Sequence, residues 1–348
     1  MDELEIDFLV PFGEYCLIGE HTDLASRQEV KTHLRKLTQK VEFLETVPPG
    51  QRFAPFTIPS SRRIHYREVR SLVGCFIYTH EGHRREIEVP GSRILALSPR
   101  KWGLVKHYAD CIGSYAKFHF LDTVGVPIEY LAQQSTGGRA ETRRIRPGKF
   151  LVLANKKISS DYDAANVFVF AMDPETLLPI SRVLRRDNLP ALVDPSNPAT
   201  SVPYQRVLIK SKLAEIAGLL SAVGTDFTHP TAVLALMSQS CRFDASANEL
   251  HIPKEFGTLE IIDGQHRLFA YAGNSVSHSI RTNAEILVIG IQFASSNDAD
   301  AQSWASNMFI EINTKQTRVQ PTFTTSPMPS RGGLKRRPEN PRLILRFA

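Results

Sequence analysis

Five consecutive residues, from Asp263 to Arg267, combine side chains that could act on a phosphorylated ligand. The guanidinium of Arg267 can hold an anionic oxygen with two N–H donors. His266 can donate or carry a proton, and the carboxylate of Asp263 suits a magnesium ion or a ribose hydroxyl. These residue types in a row therefore point to phosphate chemistry.

The flanking residues predict where this string lies. Asp-Gly after an apolar run is typical of a tight turn, because Gly264 can adopt a positive φ. Leu268, Phe269 and Ala272 then supply the apolar face of a helix. Gln265 and the next two residues would form its first turn, where unpaired backbone N–H groups attract anions. A purely structural strand–helix corner would use the same residue types, so both interpretations stay open here.

Hydrophobic periodicity predicts the elements that position this corner. Two strands at 6–10 and 15–19 precede a helix whose inward positions are Val30, Leu34, Leu37, Val41 and Leu44. A second helix is predicted over 102–121, and a glycine- and arginine-rich linker follows it. Beyond residue 147 the pattern alternates between strands at 166–172, 231–237, 258–263 and 285–293 and helices at 209–220, 265–272 and 298–312. This alternation predicts an α/β layer fold.

Composition excludes several classes of protein. The chain of 348 residues is 42% apolar and 22% charged, which is typical of a soluble globular protein. No apolar run approaches the length of a membrane span, and an acidic start replaces the basic start of a signal peptide, so we expect a cytoplasmic protein without a membrane partner. The four cysteines form no CxxC pair and predict neither a zinc site nor a disulfide framework.

The net charge of +6 is not spread over the chain. Six basic residues and one acidic residue follow position 330, which leaves 36 basic and 35 acidic side chains in the first 330 residues. Overall charge is therefore weak evidence for DNA binding. The local candidates are the basic tail and the linker, whose cations are Arg139, Arg143, Arg144, Arg146 and Lys149.

Three motifs in order resemble those of the DGQHR-domain (DndB-like) family, which is associated with bacterial DNA modification. The string DGQHR itself is preceded by YQR at 204–206 and followed by the pattern IN.KQ..V from Ile312 to Val319. The similarity covers roughly residues 150–320. It implies a fold related to the ParB and sulfiredoxin group, in which a comparable turn binds nucleotide phosphates.

The resemblance implies one polar cleft with defined roles. Arg267 would hold a phosphate, and Gln265 or Asn313 would contact a base or sugar; the full predicted set is Arg206, Asp263, Gly264, Gln265, His266, Arg267, Asn313 and Gln316. The implied ligand is ATP or CTP with Mg²⁺, or the phosphates of DNA. The function we expect is that of a regulator or accessory factor in a DNA-modification or defence system, together with other proteins of such a cluster. The alternatives are a Mg²⁺-dependent nucleotide hydrolase, with Asp263 as metal ligand and Asp263 or His266 as catalytic residue, and a non-catalytic interaction module.

The first strands resemble the PD-(D/E)xK endonucleases, in which two carboxylates hold magnesium beside a lysine. Glu5, Asp7 and Glu20 match the carboxylates, but Thr22 stands at the lysine position. We therefore expect a degenerate nuclease-like region that does not cleave. We predict that this region covers 1–90 and hypothesise that it is truncated. The predicted remainder is a helical connector and basic linker at 91–146, a ParB/sulfiredoxin-like α/β DGQHR domain at 147–320 and a disordered basic tail at 321–348.

Overall fold

A computed structural model gives the fold of the chain. It describes residues 6–54, 56, 66, 69–83, 87, 94–137, 139, 141–157, 164–183, 208–224, 231–293, 301, 303–305, 307–308 and 312. The predicted tail at 321–348 lies outside these residues. Within them, no helix combines the length and the apolar character that crossing a bilayer requires.

The N-terminal half contains a four-stranded sheet with one covering helix. Strand β1 (Phe8–Phe12) pairs antiparallel with β2 (Tyr15–Thr22), and β2 and β3 (Ser71–Tyr78) are parallel, as are β3 and β4 (Leu95–Leu97). Helix α1 (Arg27–Thr46) packs on β2 and β3. Its buried residues are the five that the periodicity predicts, Val30, Leu34, Leu37, Val41 and Leu44. The hydroxyl of its N-cap, Ser26, accepts a hydrogen bond from the amide of Glu29.

A helical connector follows the sheet. It consists of α2 (Pro99–Ile112), a 3₁₀ turn (Gly113–Tyr115), α3 (Ala116–Thr123) and α4 (Ile128–Ser135). The prediction of one helix over 102–121 is wrong, because Gly113 takes a φ of 56° and ends α2. A residue in the left-handed region cannot continue a right-handed helix.

The C-terminal half is built on a mixed six-stranded sheet. Its order is β6 (Phe150–Lys156), β7 (Ala165–Met172), β13 (Ile286–Phe293), β9 (Val233–Met237), β12 (Leu259–Asp263) and β8 (Ser181–Arg182). Only the pairs β13–β9 and β12–β8 are parallel. The molecule is thus mixed α/β, as the alternation of elements predicts.

Short helices cover one face of this sheet. They are α5 (Pro174–Ile180), α6 (Lys210–Val223), α7 (Gln265–Phe269), which continues as a 3₁₀ turn (Ala270–Ala272), and α8 (His278–Asn283). Leu213, Ile216 and Leu220 of α6 are buried, as their spacing predicts. On the other face, Trp304 and Ala305 pack with residues of β9, β12 and β13. The strands therefore carry apolar residues on both faces, which explains why they read as continuous apolar runs.

The predicted basic linker is partly a strand. Strand β5 (Thr142–Ile145) forms a three-stranded antiparallel sheet with β11 (Glu249–Pro253) and β10 (Arg242–Asp244). The linker prediction missed this strand, in which Ile145 is buried against the C-terminal core. A strand with one buried residue in four has no visible sequence period.

Candidate functional site

The candidate site lies where β12 ends. In the ladder between β12 and β9, Ile261 pairs with Ala235, and Asp263 pairs with Leu234, so Ile262 is an extra residue on β12. Such a bulge bends the strand and changes the direction of the following side chain. Asp263 thereby reaches the surface with 41% of its side chain exposed.

Gly264 makes the turn from β12 into α7. Its φ is 90°, and a Cβ at this position would lie 3.0 Å from Cγ2 of Val233 and 3.1 Å from Nη2 of Arg267. Only glycine fits such a conformation and such a close approach without strain. The tight turn that the Asp-Gly pair predicts is confirmed.

Arg267 folds back over this turn. Its Nη2 lies 3.1 Å from Oδ2 of Asp263, and its Nη1 donates a hydrogen bond to Oγ1 of Thr231. Only 20% of the side chain is exposed. Burial lowers the pKa of the Arg267 guanidinium, and Asp263 opposes this change without cancelling it. The single carboxylate partner therefore offsets only part of the cost of burying this guanidinium.

His266 and Gln265 face the protein. Nε2 of His266 accepts a hydrogen bond of 2.9 Å from the amide of Ile209. Because that amide can only donate, neutral His266 carries its proton on Nδ1. Gln265 is 5% exposed. Both side chains therefore contact the protein, and neither is fully exposed to solvent.

The other predicted site residues lie outside the described residues. Arg206 is among them, yet the described chain resumes at Leu208, and Ile209 already contacts His266. Asn313 and Gln316 follow the helical position Ile312, and Trp304 of the same region packs with Ile262 of β12. Ile209, shortly after the first motif, therefore contacts the second motif, and Trp304, before the third motif, packs on the strand that leads into the second.

Two residues that bond the corner were not predicted from the sequence. Thr231 bonds Arg267, and the amide of Ile209 bonds His266. Neither residue belongs to a motif. The sequence shows only that Thr231 starts an apolar run. It comes to lie beside the predicted turn because β9, which follows it, pairs with β12.

The corner lies apart from the two cavities that the described residues line. The structure describes cavities of about 360 Å³ and about 820 Å³, and their lining contains none of residues 263–267. In the part of the chain that the structure describes, no group of three or more His, Cys, Asp or Glu side chains could hold a metal ion. Asp263 is a single carboxylate already bonded to a guanidinium. This donor set does not fit Mg²⁺ on protein ligands alone.

A second charged cluster lies on the N-terminal hairpin. The amide of Asp7 donates a 3.1 Å hydrogen bond to the carbonyl of Gly19, while Glu5 lies outside the described residues. Oδ2 of Asp7 accepts a 2.6 Å hydrogen bond from the amide of His21. Oγ1 of Thr22 accepts a 3.3 Å bond from the amide of Leu24 and so stabilises the start of the next loop.

Lys40 brings to this hairpin the cation that Thr22 lacks. Its Nζ reaches from α1 to within 2.6 Å of Oε1 of Glu20, whose side chain is only 10% exposed. Nδ1 of His33 lies 3.9 Å from the other oxygen of this carboxylate. Sequence spacing misses Lys40, because it is 20 residues away from Glu20 and on a different element.

Two of the predicted DNA-binding cations, Arg143 and Arg144, are consecutive residues of β5 and so face opposite sides of its sheet. Arg144 is exposed on β5 and pairs in register with His251, which in turn pairs with Arg242. Arg143 instead lies 3.6 Å from a carboxylate oxygen of Asp173.

Searches with the whole sequence found no matching protein-family model, no matching curated protein and no matching solved structure. The resemblance to the DGQHR-domain family consequently depends on the three motifs themselves.

Proposed function

We propose that the chain binds a phosphate-bearing ligand at residues 263–267. The ligand class is a nucleotide such as ATP or CTP, or the backbone of a nucleic acid. The observation that carries this proposal is the largely buried guanidinium of Arg267, which has one half-exposed carboxylate and one hydroxyl as partners. A second anion at this position would offset the desolvation of the guanidinium through charge-assisted hydrogen bonds.

The position of the turn supports the same ligand. Asp263 ends a central strand, and the exposed side of its carboxylate leaves room for a competing oxyanion. A phosphate oxygen can take the place of Asp263 on Nη2 of Arg267, because a guanidinium donates charge-assisted hydrogen bonds to either oxyanion.

Binding is better supported than hydrolysis. His266 uses Nε2 to accept the amide of Ile209, so this nitrogen is not available as a general base. Asp263 is bonded to Arg267, so its carboxylate would have to leave the guanidinium before it could hold Mg²⁺. The Mg²⁺-dependent hydrolase therefore becomes an outcome of the test rather than the proposal.

The wider role follows from the three motifs. We propose a regulator or accessory factor of a DNA-modification or defence system in the bacterial cytoplasm, built from a ParB/sulfiredoxin-like domain after a degenerate nuclease-like region. Ile209 follows the first motif and His266 belongs to the second. Their hydrogen bond supports the proposal that these two motifs form one functional unit.

Calorimetric titration of the full chain tests the binding site. The ligands are ATP, CTP and a single-stranded oligonucleotide, each with and without Mg²⁺. Arg267→Ala should weaken binding about 10- to 100-fold, the equivalent of one charge-assisted hydrogen-bonding partner. Arg242→Ala, at an exposed position on β10, is the matched control and should bind normally.

The ligand arms separate the alternatives. Binding of the nucleotides alone defines a nucleotide site, and binding of the oligonucleotide alone defines a nucleic-acid site. Released phosphate that is lost in Asp263→Ala would establish the hydrolase. Equal affinity of Arg267→Ala and the unaltered protein for every ligand would overturn the proposal and leave an interaction module.

A further inference from the structure

One peptide group lies between two histidines. The carbonyl of Leu208 is 2.5 Å from Nε2 of His107, and the amide of Ile209, from the same peptide bond, is 2.9 Å from Nε2 of His266. A peptide bond is planar and directs its C=O and N–H to opposite sides. The two imidazoles therefore contact the two ends of one rigid group.

The chemistry of this group fixes both hydrogen bonds in direction. A carbonyl can only accept, so Nε2 of His107 carries a proton and donates. The amide can only donate, so Nε2 of His266 accepts and its proton is on Nδ1. Successive hydrogen bonds through one peptide polarise each other, which links the state of one imidazole to that of the other.

His107 belongs to a different part of the chain from the turn. It lies on α2 of the connector, 159 positions before His266, and it is half-buried. The connector also contacts α7 through the ring of His119, whose centroid is 5.7 Å from that of Phe269. The side chain of Leu208 is buried in the C-terminal core, which fixes the position of the peptide group that His107 contacts.

We infer that His107 is a positioning residue of the phosphate site. It holds the Leu208–Ile209 peptide so that His266 keeps the Nδ1-protonated form beside Arg267, and it thereby makes the affinity of the site depend on the connector. The consequence for affinity rests on the proposed function, whereas the effect on His266 does not.

Nuclear magnetic resonance of the full chain with ¹⁵N-labelled histidine tests the positioning role without any ligand. We expect His266 to show the Nδ1-protonated neutral form. His107→Ala should shift the His266 signals towards a mixture of the two neutral forms. His107→Gln should restore the original form, because the side-chain amide of Gln places an N–H where Nε2 of histidine lies. His107→Asn carries the same amide one methylene shorter and should fail to restore it.

Cys111 provides the control. Its Sγ is 3.5 Å from Nε2 of His107, but it makes no contact with the Leu208 carbonyl among the described hydrogen bonds. Cys111→Ala should leave the His266 signals unchanged. Thermal unfolding of each variant verifies that the chain is folded, and the Gln–Asn pair keeps the comparison valid if the Ala variant unfolds.

Affinity for ATP and CTP supplies the second readout. His107→Ala and His107→Asn should bind roughly fivefold more weakly, the equivalent of one neutral hydrogen bond, and His107→Gln should bind within about twofold of the unaltered protein. Unchanged His266 signals in both His107→Ala and His107→Asn would overturn the positioning role. If these signals respond but no variant binds a nucleotide, the positioning role stands and the proposed function fails. If the unaltered protein binds the nucleotides and His107→Asn binds them equally well, His107 does not control the affinity of the site.

Discussion

Two arginines stand at opposite ends of β12 and differ in the number of carboxylates that they contact. Arg182, next to the start of β12, forms bonds of 2.9 and 2.7 Å to the two oxygens of Asp122 and a bond of 3.0 Å to Glu260. Arg267, past the end of β12, has the single carboxylate of Asp263 and the hydroxyl of Thr231. Both side chains are mostly buried, at 11% and 20% exposure.

The balance of burial and charge separates their roles. Burial acts to lower the pKa of Arg182, but Asp122 and Glu260 together raise it above its usual value. For Arg267 burial outweighs Asp263, and the pKa falls. The network of Arg182 joins the connector to the sheet, whereas Arg267, with a single carboxylate partner, can accept a further anion.

The largest expected effect is on stability at the closed end. Arg182→Ala leaves the buried carboxylates of Asp122 and Glu260 without their cation and should lower the free energy of unfolding by about 3–5 kcal/mol. Urea unfolding measures this, with the exposed Arg242→Ala as the control. A loss below about 1 kcal/mol would mean that the two ends of β12 do not differ in the way described.

The turn itself should be the next most sensitive position. Gly264→Ala places a Cβ 3.0 Å from Val233 at a positive φ and should cost about 1–3 kcal/mol of stability as well as nucleotide binding. Gly218→Ala in α6 is the matched control, because nothing lies within 4 Å of its Cβ, and it should gain up to about 1 kcal/mol. Equal thermal midpoints for the two variants would contradict this account of the turn.

The hairpin pair offers a third cation to compare. Lys40→Ala leaves the mostly buried Glu20 without its 2.6 Å partner, and we expect a loss of about 1–2 kcal/mol, less than at Arg182 because Lys40 is 23% exposed. We also expect no Mg²⁺-dependent cleavage of DNA by the unaltered chain. Cleavage that disappears in Lys40→Ala would show instead that Lys40 completes a working nuclease site.

The smallest effect concerns the carboxylate that competes with the ligand. Asp263→Asn removes the charge that Arg267 now contacts and should tighten ATP binding by roughly fivefold, about 1 kcal/mol. Glu260→Gln, at the other end of β12, should leave this affinity unchanged. Weaker binding by Asp263→Asn, seen only with Mg²⁺, would favour a metal-binding role for Asp263.

Local features of the site were predictable from sequence, and its remote partners were not. The Asp-Gly pair predicts the turn, and the spacing of Leu213, Ile216 and Leu220 predicts α6, because both depend on neighbours within a few residues. Strand pairing places Thr231 at the turn, and packing of the connector places His107 against the peptide that bonds His266. Residue spacing in the sequence predicts neither contact.

The same reason explains the errors elsewhere. β5 has one buried residue in four and depends on β11, over 100 residues later, for its hydrogen bonds. Gly113 ends α2 within a stretch whose apolar positions continue the helical period. Tertiary context decided both cases against the local pattern.

The most direct test of anion binding at Arg267 is urea unfolding at increasing pyrophosphate and constant ionic strength. Since a ligand that binds only the folded state stabilises it by RT ln(1 + [L]/Kd), the unaltered chain should gain about 2.7 kcal/mol at 100 times Kd. Arg267→Ala should gain almost nothing. A gain in Arg267→Ala equal to that of the unaltered chain would contradict the account.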